Sequence, residues 1–257
     1  MNGRGYRARS VQNVIAEIEY DLKLFPDVKE IMFEDDTFVM RRNAERLAGI
    51  CEELIQKRFG ISWSANARVD LNDLEIMKLI KRSGCRMLCV GFEFGDQKIL
   101  NAIKKGTTVD DMFKFAENAH KAGIRLHGCF MFGGPGETME SAKKTIDLAR
   151  RLKIDTAQFS GLVAYPGTEY FEWAKANGYV IPKDWRGWVD ENFEQCATVR
   201  CPELSVEQIN GLIDEGLRTF YLRPGQMLRM VKSIRSTADV KAKLHGFLSF
   251  LRYFQAK

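Results

Sequence analysis

The feature that most restricts the fold of this chain is a repeated change of hydrophobic period. The short apolar runs Val28–Phe33, Ile61–Asn66, Arg86–Glu93, Ile124–Phe132 and Thr156–Val163 predict strands. Between them the apolar residues recur every three or four positions, as helices require. The first such stretch carries Val11, Val14, Ile15, Ile18 and Leu22 behind the N-cap candidate Ser10 and stops at Pro26. Others run through Leu47, Ile50, Cys51, Leu54 and Ile55, from Asn72 towards Gly84, within Asp96–Lys105 and Val109–Ala122, and over Met139–Leu152. Gly84 and Gly123 stand where helices end, since glycine accepts the left-handed conformation found there. Strands that alternate with helices are joined by crossovers, so the strands run parallel. The run at Val28–Phe33 reads as a strand buried on both faces.

Two arrangements fit such a sheet, a closed or partial barrel and an open doubly wound sheet. The barrel is favoured because polar and glycine-bearing residues follow each strand: Glu34-Asp35-Asp36, Asn66 with Arg68, Glu93, Gly133-Gly134-Pro135-Gly136 and Tyr165-Pro166-Gly167-Thr168. That is the rim where barrel enzymes gather their chemistry. The glycine-dense turn follows the fourth strand and lacks the G-x-G-x-x-G spacing of a dinucleotide-binding fold. The fold class expected is therefore α/β, a partial TIM-type (β/α) barrel with about five parallel strands, spanning residues 1–180. After Tyr179 the rhythm stops at Trp185 and Trp188, and Ser205 with Gln208 forms a capping box for a further helix. Residues 181–257 are expected to be a helical C-terminal extension.

Charge and composition narrow the function. A net charge of +5 over 257 residues, with no concentrated basic stripe, argues against nucleic acid. No run of roughly 18 apolar residues could cross a bilayer, and no apolar stretch near Met1 resembles a secretory signal, so a cytoplasmic location is expected. The last helix puts Val240, Leu244, Phe247, Leu248, Leu251 and Phe254 on one face and Lys241, Lys243, Arg252 and Lys257 elsewhere. This basic amphipathic face has two readings: packing onto the barrel or a partner, and peripheral contact with a membrane surface.

Taken in order, Tyr6-Arg7-Ala8-Arg9-Ser10, Phe33-Glu34-Asp35-Asp36-Thr37-Phe38, Ala67-Arg68-Val69-Asp70, Gly91-Phe92-Glu93-Phe94-Gly95, Phe132-Gly133-Gly134-Pro135-Gly136-Glu137-Thr138 and Tyr165-Pro166-Gly167-Thr168-Glu169 resemble radical S-adenosylmethionine (SAM) enzymes. The resemblance covers roughly residues 4–170 and is closest to the subgroup with an N-terminal cobalamin-binding domain, including hopanoid-biosynthesis members and relatives in chlorophyll-type ring formation. It implies SAM as cofactor, a 4Fe-4S cluster held by C-x3-C-x2-C after a first strand, and cobalamin through an N-terminal domain. It also implies a reductant protein and a small-molecule or lipid substrate. The chain is expected to begin after that cluster motif, lacking the first strand and cluster loop, and so to be inactive alone.

Carried over position by position, the resemblance puts Glu34, Asp35 and Asp36 near the SAM amino group, where acceptors suit an ammonium. A solvated acidic turn explains them as well. Arg68 would hold the SAM carboxylate through its guanidinium fork or else make a surface salt bridge. Glu93 would take the ribose hydroxyls or the methionine end. Gly133, Gly134 and Pro135 would lie beside adenine, with room for a flat ring, and Tyr165 and Pro166 would close that side; tight helix-entry turns are the plainer reading of both loops.

The six cysteines do not match the cluster motif. Cys85 and Cys89 are spaced C-x3-C but share a strand, where four steps of about 3.3 Å separate them by roughly 13 Å. Cys51, Cys129, Cys196 and Cys201 lack two partners at the required spacing, so all six read as small buried hydrophobes or incidental thiols. His120, His127 and His245 have no zinc-site spacing and read as structural. Two other functions stay open: a lyase using Glu34, Asp36, Glu93 and His127 as carboxylate or divalent-metal groups, and a domain that binds SAM or a partner without turnover.

Overall fold

The computed structural model describes residues 7–182, 184–189, 198–234 and 237–255. The elements in chain order are α1 (Val11–Leu24), β1 (Glu30–Phe33), α2 (Ala44–Lys57), β2 (Ser62–Ala67), α3 (Leu74–Arg82), β3 (Cys85–Glu93), α4 (Gln97–Ala102), α5 (Val109–Ala122), β4 (Arg125–Phe132), α6 (Met139–Arg151), β5 (Thr156–Gly161), α7 (Glu169–Ala176), α8 (Val206–Tyr221), α9 (Pro224–Lys232) and α10 (Thr237–Gln255). The helix ends follow local chemistry. Ser10 accepts the Asn13 amide at 3.1 Å to start α1, and Thr108 with Asp111 forms a capping box on α5. Gly123 closes α5 at φ 77°, as the sequence predicts.

The five strands form one sheet in the order β1-β2-β3-β4-β5, every neighbouring pair parallel. This is the α/β fold of parallel strands and crossover helices expected above. Because the strands are parallel and consecutive, all residues that follow a strand sit on one edge of the sheet.

The two faces of the sheet differ. Leu88, Val90 and Phe92 on β3 and Leu126, Phe130 and Phe132 on β4 are buried in the core, with Phe92, Phe130 and Phe159 stacked at centroid distances of 5.6 and 5.3 Å. The alternate residues Met87, Cys89, Gly91 and Glu93 on β3, and His127, Cys129 and Met131 on β4, are only half-buried. Side chains alternate along a strand, so this second set shares an open face. Burial of β1 on both faces is therefore corrected: Glu30 and Met32 are exposed and Ile31 and Phe33 half-buried, because the helices cover one face of the sheet.

Beyond residue 180 the main described elements are helical. Helix α8 packs on β5 and α6, and its Ile209, Leu212 and Phe220 join the same core as the sheet. At Gly216 a Cβ would lie 2.9 Å from the Phe159 ring, so glycine permits that close approach. Along the outer edge of β5, Tyr221 Oη pairs with the backbone of Ala157, its hydroxyl donating to the carbonyl at 2.9 Å. Helix α10 attaches through its C-terminal half, where Phe250 meets Tyr221 and Arg218 lies over the Phe254 ring. Its Val240, Leu244, Phe247, Leu248 and Leu251 remain exposed. Among the described residues no helix is long and apolar enough to cross a membrane.

Candidate functional site

The most distinctive point on the rim is the end of β3. The β3–β4 register shifts between Gly91 and Glu93, and Glu93 takes φ 66°, a left-handed conformation costly for a side chain with a Cβ. The bulge re-aims the side chain. Glu93 Oε1 accepts from Lys105 Nζ at 2.7 Å, and the two side chains are 14% and 15% exposed. A Cβ at Gly91 would collide with Glu93 Oε1, so glycine makes the space for this pair. Glu93 Oε2 is buried with no partner, an arrangement that leaves an acceptor unsatisfied.

From the end of β2, Arg68 reaches the same group and makes the salt bridge that the sequence left open as one of its two readings. Its Nη2 donates to the Lys105 carbonyl at 2.8 Å and its Nε to Asp70 at 3.3 Å. After β1, Glu34, Asp35 and Asp36 are exposed; Asp35 accepts the Thr37 amide at 3.2 Å and its carbonyl takes the Asn66 amide group at 3.0 Å. Glu34 nonetheless borders the open face. Burial pushes the Cys89 thiol up against the pull of Arg86, with the Glu34 charge a lesser upward push, and burial followed by Glu93 raises Cys129 to about 11. Glu34, Cys89, Cys129, Glu93 and Lys105 thus share one electrostatic neighbourhood.

The loop after β4 is closed on itself. Gly133 and Gly134 donate their amides to Glu137 Oε2 at 2.5 and 3.1 Å, while Tyr170 Oη and Cys201 Sγ donate to the Gly133 carbonyl at 3.2 and 3.0 Å. Gly133 sits at φ 88°. A Cβ there would meet Ile209 at 3.0 Å, and one at Gly134 would meet Ile99 at 2.7 Å and Phe94 at 2.9 Å. The room that these glycines make is filled by the protein, so packing accounts for them. Glu137 is fully buried with its Oε1 unpartnered, and burial pushes its carboxyl up to about 7 against the pull of the two glycine amides on Oε2. Pro135 is half-buried beside them. Further along, Tyr165 and Pro166 are exposed, and the Tyr165 ring stacks on Trp188 at 6.0 Å.

Sequence reasoning missed Lys105 and Glu137. Glu137 was quoted only as part of a motif, and Lys105 lies in the turn after α4, where no periodicity marks it. The described cysteines divide between the two readings, buried hydrophobe and incidental thiol. Cys51, Cys85 and Cys201 are buried, and burial raises all three thiols, but Cys89 and Cys129 are half-buried on the open face. Their places on alternate positions of adjacent strands were the available signal. Cys196 lies outside the described residues. His127 Nδ1 is 2.8 Å from Thr156 Oγ1 and burial lowers its pKa; His120 and His245 are exposed.

Among the described residues no three His, Cys, Asp or Glu side chains gather as a metal site. They therefore do not fit a 4Fe-4S cluster, and Glu34, Asp36, Glu93 and His127 do not form the divalent-metal set of the lyase reading. The unpartnered Glu93 oxygen leaves one acceptor at the rim for a hydrogen-bond donor. A cavity of about 1350 Å³ lies elsewhere, between β5, α8, α9 and α10. It contains none of the expected site residues.

Five consecutive parallel strands with crossover helices and a polar rim are the α/β arrangement of a partial (β/α) barrel. The sequence model of the Radical SAM superfamily matches residues 1–149, and the chain belongs to that superfamily. It is 32% identical over 254 residues to an uncharacterized methyltransferase of Pyrococcus horikoshii, covering 99% of this chain and 53% of that protein. Over 175 residues it is 30% identical to bacteriochlorophyllide d C-12(1)-methyltransferase of Chlorobaculum tepidum, covering 66% and 37%. The anaerobic magnesium-protoporphyrin IX monomethyl ester cyclase of Rubrivivax gelatinosus is 28% identical over 171 residues, covering 66% and 30%. The chain spans about half the length of these relatives or less. Its fold is similar to the radical SAM methyltransferase TsrM from Kitasatospora setae, solved with cobalamin and a 4Fe-4S cluster, at TM-score 0.67, 20% identity and coverage of 87% and 47%. It is likewise similar to the cobalamin-dependent SAM radical enzyme OxsB, at TM-score 0.68, 17% identity and coverage of 97% and 42%.

Proposed function

We propose that this chain is the SAM-binding part of a radical SAM enzyme, with residues 1–180 as the partial barrel and 181–257 as an extension that closes its β5 side. The whole protein would carry out SAM-dependent radical chemistry on a small molecule, with methyl transfer the class shared by the two named methyltransferases among its relatives. A cluster, cobalamin and a reductant would be supplied by parts other than the described residues.

In this reading Glu34, Asp35 and Asp36 face the methionine amino group and Arg68 the carboxylate. Arg68 must exchange a bond with Asp70 or the Lys105 carbonyl to do so. Glu93 takes a ribose hydroxyl, and Gly133, Gly134, Pro135, Tyr165 and Pro166 border adenine through their backbone and ring edges. The observation that carries the proposal is Glu93: a left-handed residue, cleared by Gly91, whose second carboxylate oxygen is buried without a donor. Strain of this kind collects at ligand sites.

Calorimetric titration with SAM and S-adenosylhomocysteine tests it. The expected result is measurable binding that Glu93→Gln weakens by about tenfold, since a charged acceptor makes the stronger hydrogen bond. A correctly folded chain that binds neither compound at millimolar concentration would overturn the reading.

A further inference from the structure

We propose that Lys105 is a positioning residue of this site, one that makes Glu93 select a neutral hydroxyl donor over an ammonium. The inference rests on the SAM-site reading and settles which end of the cofactor Glu93 faces.

Several independent features converge on Lys105. Its Nζ holds Glu93 Oε1 at 2.7 Å, leaving only Oε2 unpartnered. Its carbonyl accepts Arg68 at 2.8 Å, tying the end of β2 to the end of β3. Its amide donates to the Leu100 carbonyl at 3.0 Å, and the preceding Lys104 takes φ 56° to close α4. Of the three non-glycine residues with positive φ among those described, Glu93 and Lys104 thus flank this one ion pair. Backbone strain at both ends fixes where the ammonium and the carboxylate meet.

Charge decides what such a pair can bind. A lone carboxylate in a half-buried site attracts any cation, and the SAM ammonium would be a strong ligand for it. With Lys105 in contact the pair is neutral overall, and a second cation would meet like-charge repulsion at short range. One acceptor lone-pair site remains, and a ribose hydroxyl donates to it without adding charge. Glu93 is accordingly the ribose partner, and the exposed acids after β1 are left for the methionine amino group.

The test is equilibrium binding to the chain of adenosine, 2′,3′-dideoxyadenosine and 3′-amino-3′-deoxyadenosine with its 2′-amino isomer, at about pH 6, where an amine of ordinary pKa is charged. The unaltered chain is expected to prefer adenosine over both the dideoxy and the amino compounds by about tenfold. Lys105→Met is expected to reverse the preference towards an amino compound, and Lys105→Arg to keep that of the unaltered chain. Should Lys105→Met not fold, Glu93→Gln/Lys105→Met removes both charges and is expected to bind hydroxyl and amino ligands equally. Absence of all nucleoside binding by the folded, unaltered chain would overturn the cofactor reading itself. Binding that persists while Lys105→Met keeps the original preference, or the double variant still discriminates against the amino ligands, would overturn the role of Lys105 alone. Equal affinity of the unaltered chain for adenosine and the dideoxy compound would remove Glu93 from the ribose.

Discussion

The rims after β3 and β4 use similar materials, a glycine-bearing turn and one glutamate, and hold that glutamate in opposite ways. After β3, Glu93 is bound by a single cation from a neighbouring loop and keeps one oxygen without a partner. After β4, Glu137 gathers two amides of its own loop on Oε2 and lies fully buried with Oε1 also unpartnered, while Tyr170 and Cys201 hold the loop from the other side. Glycine serves the first turn by making room for a charged pair and the second by admitting core side chains. The comparison teaches that a glycine-rich rim loop is not in itself a ligand cradle. Both glutamates keep one unpartnered oxygen, so what matters is whether that side chain reaches the open face, as Glu93 does, or lies wholly within the core, as Glu137 does.

Alanine at the two turns should separate these roles most strongly. Gly134→Ala forces a methyl into Phe94 and Ile99, which are fixed by the core, and should cost about 3 kcal/mol in urea unfolding. Gly91→Ala meets only the movable ends of Glu93 and Lys105 and should cost less than about 1 kcal/mol. It should still weaken adenosine binding by about tenfold. Equal losses of stability at the two positions would erase the distinction.

A smaller effect concerns pH. Burial raises Glu137 from 4.5 to about 7, so the folded state holds this proton more tightly than the unfolded chain. Its contribution is complete below about pH 4.5 and is lost as the pH rises through about 7, by at most about 3 kcal/mol. Glu137→Gln should flatten that part of the stability profile, measured by thermal unfolding from acid to neutral pH. An unchanged slope would place the titration elsewhere. Smallest of all, Tyr170→Phe removes one donor from the Gly133 carbonyl and should cost about 1 kcal/mol, with SAM affinity unchanged. A large loss of affinity would instead show that this one bond holds the β4 loop in place against adenine.

How much of this was legible in the sequence varies by element. The strands were placed to within a few residues because apolar runs bounded by turn signals have few other uses, and Ser10, Gly123 and the Ser205–Gln208 box marked helix ends by local chemistry. The rim followed from strand order alone. The burial of β1 was misjudged, since a one-dimensional run does not show which face the crossover helices cover. For the same reason the sequence does not separate Cys89 and Cys129, half-buried on the open face, from the buried thiols.

The sequence by itself determined the order of strands and helices, their parallel direction and the edge on which the polar residues gather. Those properties depend on interactions within one element and its immediate turns, where residue type and spacing are sufficient. Only the tertiary structure decided which donors each glutamate meets and which of the two stays at the open face, since each keeps one oxygen without a partner. Glu93 and Glu137 are similar in sequence, a glutamate in a glycine-bearing turn. They differ because Lys105, 12 residues away, reaches the first, while the closed β4 loop turns its own amides onto the second, under cover of the core and with Cys201, 68 residues from Gly133, holding its carbonyl. Satisfaction of a buried acceptor depends on every donor that the fold brings within about 3 Å, and sequence distance carries no record of that.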